Sequence, residues 1–449
     1  MDGHDTTFGP PPGGRSGVSA AAPLTFGQEQ LLVTEEVAEP GSLVLPLRIP
    51  LADTVPDLAV AAALRDVVAR HDALRMSTHS GVAGPAQTAA ARRAVEQLPP
   101  DADPVSYGAA AASSSTGKRP LFFSVREEPA GRRATVYLHH MFVDGWAAWL
   151  LAGEVTSRLT GARPAPGVPA ESFAAYARAL RQRMTAAAIA RHVGHWQAEL
   201  AGAQPLILPG TRVAWRPGAR LGWMPALVVE VADCSLAQFT AAMRGLRASP
   251  TEGVLAAFAT TLADASGQRD LLLETALSDR GALGTRLLVG CLTDRCVLRL
   301  RLAGGDPTAA LPAAARSLRG ALRHHVGPFQ TEARGTEAGR ILNLSPRVSI
   351  ALNQELGART PGAVDLRPRT EPDRVIGPCR FWTSSASSRS DLHAEMLGGP
   401  AAAPLRFRLV YRPDLWDAPA VEELGQAMAG RLRRLAGLVP ASTLGGIGP

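Results

Sequence analysis

Apolar and polar positions along the chain follow two periods, and the period switches from segment to segment. Residues 55–78, VPDLAVAAALRDVVARHDALRMST, carry apolar side chains at helical spacing and predict a helix, with a strand after it. Just upstream, PLTFGQEQLLV (23–33) reads as a turn leading into a helix. LFFSVRE (121–127) and RATVYLHH (133–140) are apolar runs of strand length joined by the turn-forming EPAG, and they predict two strands. A helix starts after Gly145 and directs Trp146, Trp149, Leu150, Val155 and Leu159 toward a core. Further helices are expected over about 171–202.

Residues 203–222, AQPLILPGTRVAWRPGARLG, are rich in Pro and Gly and have no period, so they read as a crossing between domains. Beyond them the pattern predicts a strand at 226–232 and helices at about 235–247 and 250–267. Strands follow at 271–276, 296–302, 347–353 and 404–412, and an amphipathic helix at 417–437. Strands and helices alternate in both halves without a repeat, which predicts two α/β lobes of similar size. The expected division is a tail over 1–22, an N-terminal lobe over 23–202, the crossing, and a C-terminal lobe over 223–449. A chain of 449 residues suits two domains, because single cores stop growing at roughly 250–300 residues.

Composition and charge narrow the function. The chain is 46% hydrophobic and 19% charged, as a well-packed soluble protein is, and its net charge of +7 admits nucleic acid, an acidic membrane face or an acidic protein as partner. The arginines are scattered and aromatic residues make up only 5%, so no stacking platform or basic stripe supports nucleic acid. An acidic partner or a phosphate-bearing ligand fits better. Cys234, Cys291, Cys296 and Cys379 contain no Cys-x-x-Cys pair and read as buried free thiols. Residues 1–22 are polar and rich in Gly and Pro, unlike a signal peptide, and read as a disordered tail. No apolar run reaches bilayer length, so a cytoplasmic protein without membrane contact is expected.

The stretch that points to chemistry is ATVYLHHMFVDGWAAWLL (134–151). An apolar strand ends on His139 and His140, and Asp144 and Gly145 turn the chain into a tryptophan-bearing helix. Histidines packed in a core and bonded to backbone are the plainest account of such a pair. The turn weakens it, because glycine lets a backbone N–H approach a ligand and a helix start favours developing negative charge. Asp144 either orders the turn or seeks a buried cationic partner.

Rival signals fail. STGKRP (115–120) has Ala112 where a phosphate loop needs glycine, and Arg119 follows the lysine. There is no Gly-x-Ser-x-Gly elbow and no cysteine with a histidine near it in sequence, so a covalent acyl-enzyme is unsupported. His192 and His195 lie three apart on a helix with no third ligand evident, and read as a solvated face and not a metal site. The run TSSASSRS (383–390) reads as a loop; position 386, which is Ala386, is its candidate for bordering a substrate path.

HHMFVDG resembles the His-His-x-x-x-Asp-Gly motif of nonribosomal peptide synthetase condensation domains, of the chloramphenicol acetyltransferase superfamily. Other marks follow in the family's order. PLTFGQEQLLV resembles Pro-Leu-Ser-x-x-Gln-x-x-Leu, RHDALRM (70–76) the Arg-His-x-x-Leu-Arg motif, and HWQAELAG (195–202) the Tyr-Trp-x-x-x-Leu-x-Gly segment. ALSDRGAL (276–283) resembles the stretch whose arginine pairs with the motif aspartate, which gives that role to Arg280. VGCLTDRCVLR (289–299), HHVGPFQ (324–330), VSIALNQE (348–355) and LVYRPDLWD (409–417) complete the series, with Asn353 where many members have a site asparagine. These marks span about residues 23–437. Departures are Asp294 and Arg295 for Asn-Thr, His325, Val326, Gly327 and Gln330 in the next motif, and a weak FAAYARAL (173–180) before the crossing. They lie away from the histidine turn and bear on partner contacts and substrate class.

The resemblance implies an α/β fold of two chloramphenicol acetyltransferase-like lobes, a V-shaped pseudo-dimer with a substrate tunnel between them. It implies an acyltransferase that moves an acyl or aminoacyl group from a carrier-protein phosphopantetheine thioester to an amine or alcohol, forming an amide or ester in antibiotic or other secondary metabolite biosynthesis. His140 and Gly145 would be catalytic, the first as base and the second as oxyanion donor. His139, Asp144 and Arg280 would support the site, and Trp146, Asn353 and position 386 would line the tunnel. No metal and no bound cofactor is implied, and acyl or peptidyl carrier proteins are expected as partners in trans, since no adenylation signature or Gly-Gly-x-Ser attachment site is present. Two alternatives stay open: a coenzyme A-dependent acyltransferase of the same superfamily, and a non-catalytic module that docks carriers or recruits an enzyme. The epimerising branch fits less well, because Trp146-Ala147-Ala148 follows Asp-Gly, and the cyclising branch replaces both histidines.

Overall fold

The computed structural model describes residues 21–35, 43–81, 84–99, 120–128, 131–161, 172–204, 206–208, 222–278, 280–281, 283–324, 348–351, 374–376, 379–388, 390–397 and 401–438. In the first half these form β1 (Ala22–Pro23), α1 (Phe26–Glu35), β2 (Val44–Pro50), α2 (Asp57–Arg70), β3 (Met76–Gly81), β4 (Gly84–Ala89), β5 (Val95–Gln97), β6 (Leu121–Arg126) and β7 (Arg133–His139). Helices α3 (Gly145–Thr160), α4 (Phe173–Arg183) and α5 (Ala186–Leu200) follow. The second half holds β8 (Gly222–Ser235), α6 (Leu236–Gly245), α7 (Pro250–Ser266), β9 (Asp270–Ser278), α8 (Leu283–Arg286), β10 (Thr293–Arg301) and α9 (Pro307–His324). It ends with β11 (Val348–Ala351), β12 (Arg374–Ile376), β13 (Cys379–Ser388), β14 (Leu392–Leu397), β15 (Pro404–Tyr411) and α10 (Ala418–Leu435).

Among the described residues the strands make three sheets. A four-stranded sheet, β2-β7-β6-β5, and a small one, β1-β4-β3, belong to the first half. An eight-stranded sheet, β10-β9-β11-β14-β15-β8-β13-β12, belongs to the second. Two large apolar clusters match this division: α2 and α3 pack on the four-stranded sheet around Phe123, Val136, Leu138, Leu64 and Leu151, whereas α7 and α10 pack on the eight-stranded sheet around Phe258, Leu298, Phe407 and Leu432. Helix starts are set locally. Ser235 with Gln238, Ser249 with Glu252, and Thr25 with Gln28 each exchange side-chain and backbone hydrogen bonds across one turn, satisfying N–H groups that a helix start leaves unpaired.

The strands and helices expected at 121–140, 145 onward, 226–276, 296–302 and 404–437 are present. Other expectations need correction. The helix read over 55–78 stops at Arg70, and a short 3-10 turn, Asp72–Arg75, follows before β3. Tertiary contacts end it: the Asp72 carboxylate accepts from Ser172 Oγ (2.6 Å) and from the N–H groups of Phe173 (2.9 Å) and Ala174 (3.2 Å), capping α4, and His71 Nε2 meets Glu154 on α3 at 2.7 Å. Ala22, assigned to the tail, is buried in β1, paired with β4. The serine run is no loop but most of β13, held by backbone bonds to β8 that do not depend on side-chain polarity, with Ala386 opposite Met224. Strands β2, β4, β5, β12 and β14 and helices α8 and α9 form where the pattern predicts no element. All four cysteines are buried free thiols. No helix among the described residues is long and apolar enough to cross a membrane.

Candidate functional site

Strand β7 pairs along its whole length with β2, and this register brings His139 opposite Val44 at the strand's end. Only one imidazole of the pair is enclosed by protein partners. His139 is buried; its Nδ1 accepts from the Met141 N–H at 3.1 Å, so the proton sits on Nε2, which donates to Glu35 of α1 at 3.1 Å. The next residue turns away: His140 gives its N–H to Leu43 O (2.8 Å) and its ring is half-buried. Its Nδ1 is buried, and no described group meets it with hydrogen-bond geometry. Burial pushes the His140 pKa below the ordinary 6.5, against the pull of Asp144 and of the backbone at His140 and Val143. The ring is therefore neutral at neutral pH.

Asp144 is the N-cap of α3 and is 1% exposed. Its Oδ1 accepts from the Ala147 N–H and from Arg280 Nη2, both at 2.8 Å. Its Oδ2 accepts from Arg280 Nη2 (2.9 Å), the Leu292 N–H (3.0 Å) and Thr293 Oγ1 (3.2 Å). Arg280 is buried as well; its Nη1 donates to the carbonyls of Thr285 (3.1 Å) and Leu288 (2.8 Å) and its Nη2 also to that of Gly290 (3.2 Å), while its buried Nε meets no partner among the described residues. The carboxylate thus neutralises a buried cation and joins the first half of the chain to the second. Fully engaged, it orders the turn.

Gly145, the first residue of α3, is exposed, and a Cβ there would meet nothing within 4 Å among the described residues. Trp146 and Trp149 do not enter the core as expected: Ala147, Ala148, Leu151 and Val155 do. The two indoles lie against each other at 5.3 Å, and Trp146 Nε1 donates to Arg286 O of α8 (2.8 Å), a contact between halves. The structure brings together His139, His140, Asp144, Gly145, Trp146 and Arg280. Asn353, positions 325–327 and 330, and residues 115–119 lie outside the described residues.

Sequence reasoning missed two supports of the turn. Gln28, completely buried on α1, donates from Nε2 to Met141 O (3.0 Å) and exchanges bonds with Gln87 (2.9 Å), tying α1 to the residue after His140. The glutamine of the first motif was the signal available for it. Gly27 lets α1 reach β10, for a Cβ there would sit 2.1 Å from Thr293 O. The altered motif at 293–295 lies here too: Asp294 is buried, the Arg295 N–H donates to Gln30 Oε1 (3.2 Å), and the Arg295 side chain pairs with Glu274.

The helix face carrying His192 and His195 is partly covered, with His192 buried and His195 half-buried. Helix α9 crosses α5 there, and the ring of its last residue, His324, stacks on His195 (3.8 Å between centroids) while its Nδ1 lies 3.1 Å from His192 Nδ1. Three imidazoles meet, yet no group of His, Cys, Asp or Glu among the described residues is arranged to hold a metal ion.

Two α/β halves joined at a histidine turn define a class that comparison makes specific. The chain has the condensation-domain fold, two chloramphenicol acetyltransferase-like lobes in one polypeptide, as the resemblance implied. It superposes on the condensation domain that mediates chain release from the enacyloxin polyketide synthase with a TM-score of 0.69 and 23% identity, covering 95% of this chain and 84% of that one. The first condensation domain of the calcium-dependent antibiotic (CDA) synthetase matches with a TM-score of 0.67 and 18% identity over 95% and 98% of the two chains. The X-domain from teicoplanin biosynthesis gives 0.63 and 21%, over 92% and 95%. By sequence the chain is similar to phosphinothricin tripeptide synthetase PhsC of Streptomyces viridochromogenes, 27% identical over 92% of this chain. It is 26% identical to the probable non-canonical nonribosomal peptide synthetase CymA of Salinispora arenicola over 95% of this chain. The chain spans 39% of the first relative's length and 6% of the second's. No family model matches it.

Proposed function

We propose that the chain is a condensation enzyme that transfers an acyl or aminoacyl group from the phosphopantetheine thioester of a carrier protein to an amine or alcohol. The observation that carries this reading is the division of labour at the turn: His139 and Asp144 are fully bonded within the protein, while the neutral, half-buried His140 has a ring nitrogen, Nδ1, that no described group engages. The nucleophile attacks the thioester carbonyl carbon, its proton passes to the His140 imidazole, and the C–S bond breaks. The thiolate then takes that proton, so the base is restored. The Gly145 N–H, a helix-start donor, is assigned to the tetrahedral oxyanion, where losing one such donor elsewhere costs about 10²–10³ in rate. An amine that arrives neutral needs little base help, and positioning supplies most of its acceleration. Acidic acyl or peptidyl carriers suit the positive net charge, and the phosphopantetheine arm is substrate, with no bound cofactor required. We assign residues 23–202, with Ala22 of β1 added to them, and 223–449 to the two lobes.

The test is thiol release from a panel of acyl-pantetheine and carrier-loaded donors with mixed amines and alcohols, comparing the chain with His140→Ala. Release that needs both the nucleophile and His140, with the coupled product seen by mass, is expected. Carrier binding without turnover, identical in both proteins, would establish the docking reading instead.

A further inference from the structure

A second polar site lies on the eight-stranded sheet. Ser349 of β11 faces Glu274 of β9 on one side and His393 of β14 on the other. His393 lies across from Val410, and Val410 from Ala226. Neighbours in register share a face, so this row runs across one side of the sheet, whereas Ile350, Ala394 and Leu409 point into the core on the opposite side. Arg299, two residues beyond the partner of Glu274, is on the same side as the row, and its Nη1 donates to the carbonyls of Glu199 (2.6 Å) and Ala201 (2.8 Å) at the end of α5. The end of α5, whose Trp196 and Leu200 share an apolar cluster with Val297, therefore covers the β10 side of this face. The Arg295–Gln30 and Gln28–Met141 bonds continue from it to the histidine turn.

Within the row Ser349 Oγ donates to Ser390 Oγ at 2.6 Å and meets His393 Nδ1 at 2.7 Å. A hydroxyl has one proton, so His393 must donate from Nδ1 and its Nε2 carries a lone pair. Burial pushes the His393 pKa down to about 4, which keeps the ring neutral. The nearest charges cancel in pairs, Glu274 with Arg295 and Glu395 with Arg408. Met224, Ala226 and Val410 form a separate apolar cluster beside it. A neutral acceptor next to an apolar wall, without net charge, suits a hydroxyl group and neither a carboxylate nor an ammonium.

We propose that His393 is a recognition residue on the C-terminal lobe's wall of the interlobe cleft, accepting at Nε2 a hydrogen bond from a hydroxyl of the acceptor, with Ser349 as the positioning residue that holds its tautomer. This rests on the acyl-transfer reading above. The probes are threonine amide and valine amide, equal in shape and differing by that hydroxyl. In the full chain labelled with ¹⁵N-histidine, His393 is expected as the Nδ1–H tautomer at neutral pH, with an Nε2 shift that responds to threonine amide and not to valine amide. Ser349→Ala should mix the tautomers without unfolding the chain. In thiol-release assays the preference for threonine amide should fall about tenfold in His393→Leu, the worth of one hydrogen bond. An Nε2–H tautomer in the wild type, an equal or absent response to the two amides, or an unchanged preference in His393→Leu would overturn the proposal. If no donor and acceptor pair turns over, the acyl-transfer reading fails, and the nitrogen shifts still decide on the hydroxyl site.

Discussion

At His140 burial and charge oppose each other, and burial wins. The pKa lies below 6.5, so the neutral form that a base requires persists as pH falls past that value. The rate of ester formation is expected to be flat through 6.5 and to drop only at lower pH; an inflection above 6.5 in the pH profile of kcat would contradict this. His140→Ala should cost more with an alcohol acceptor than with an amine of matched size, since the alcohol depends on proton removal; equal losses would argue for positioning alone. Gly145 separates folding from function. A methyl there meets no atom of the described residues, so Gly145→Ala should melt like the wild type while kcat/KM falls as the new group enters the substrate's space. A drop in Tm would place its role in the fold. Position 140 was legible in the sequence as the second of two histidines ahead of a turn, but its neutrality was not, because that depends on what surrounds it.

Helix α1 illustrates how an element can support the site without touching substrate. Its side of the turn is fixed by Gln28, and its approach to β10 by Gly27. Gly27→Ala puts a Cβ against the backbone carbonyl of Thr293, which cannot swing aside as a side chain would, so about 1–3 kcal/mol of stability should be lost. Denaturant unfolding checks it; an unchanged midpoint would mean that α1 can shift freely. The α5–α9 crossing predicts a pH effect. Burial and the nearby His195, His192, Arg191 and Arg323 push the His324 pKa down to about 4 from 6.5. The unfolded chain binds more protons in that window, so Tm should fall as pH drops from 6.5 toward 4, less steeply in His324→Asn. Identical slopes would remove His324 from the account. The spacing of His192 and His195 suggested a wet helix face only because the partner helix, with its terminal histidine, is 128–132 residues away.

For the molecule as a whole, the Asp144–Arg280 pair is the tie between lobes most directly coupled to the site. Asp144→Ala leaves a buried guanidinium without its carboxylate and should cost roughly 3–5 kcal/mol, with activity lost alongside. Arg280→Met combined with it should cost less than the sum of the single changes, because the uncompensated charge is gone. Strict additivity in a double-mutant cycle would show that the two do not act as a pair.

Sequence alone determined what depends on neighbours along the chain. Period-2 and period-3.6 patterns placed β6, β7, α3, β9, β10 and α10, and the strand–turn–helix around His140 was visible because each of its parts is local. The ordered motifs carried the family resemblance, and with it the role of Arg280, which no local pattern could supply. Tertiary structure decided the rest. It ended α2 at Arg70 by using Asp72 to cap another helix, and turned the serine run into β13 by pairing it with β8. It kept Trp146 out of the core, and brought Ser349 to His393 across 44 residues. Periodicity and capping chemistry are written in adjacent residues, whereas the partner of a buried polar group is chosen by packing between elements far apart in the chain.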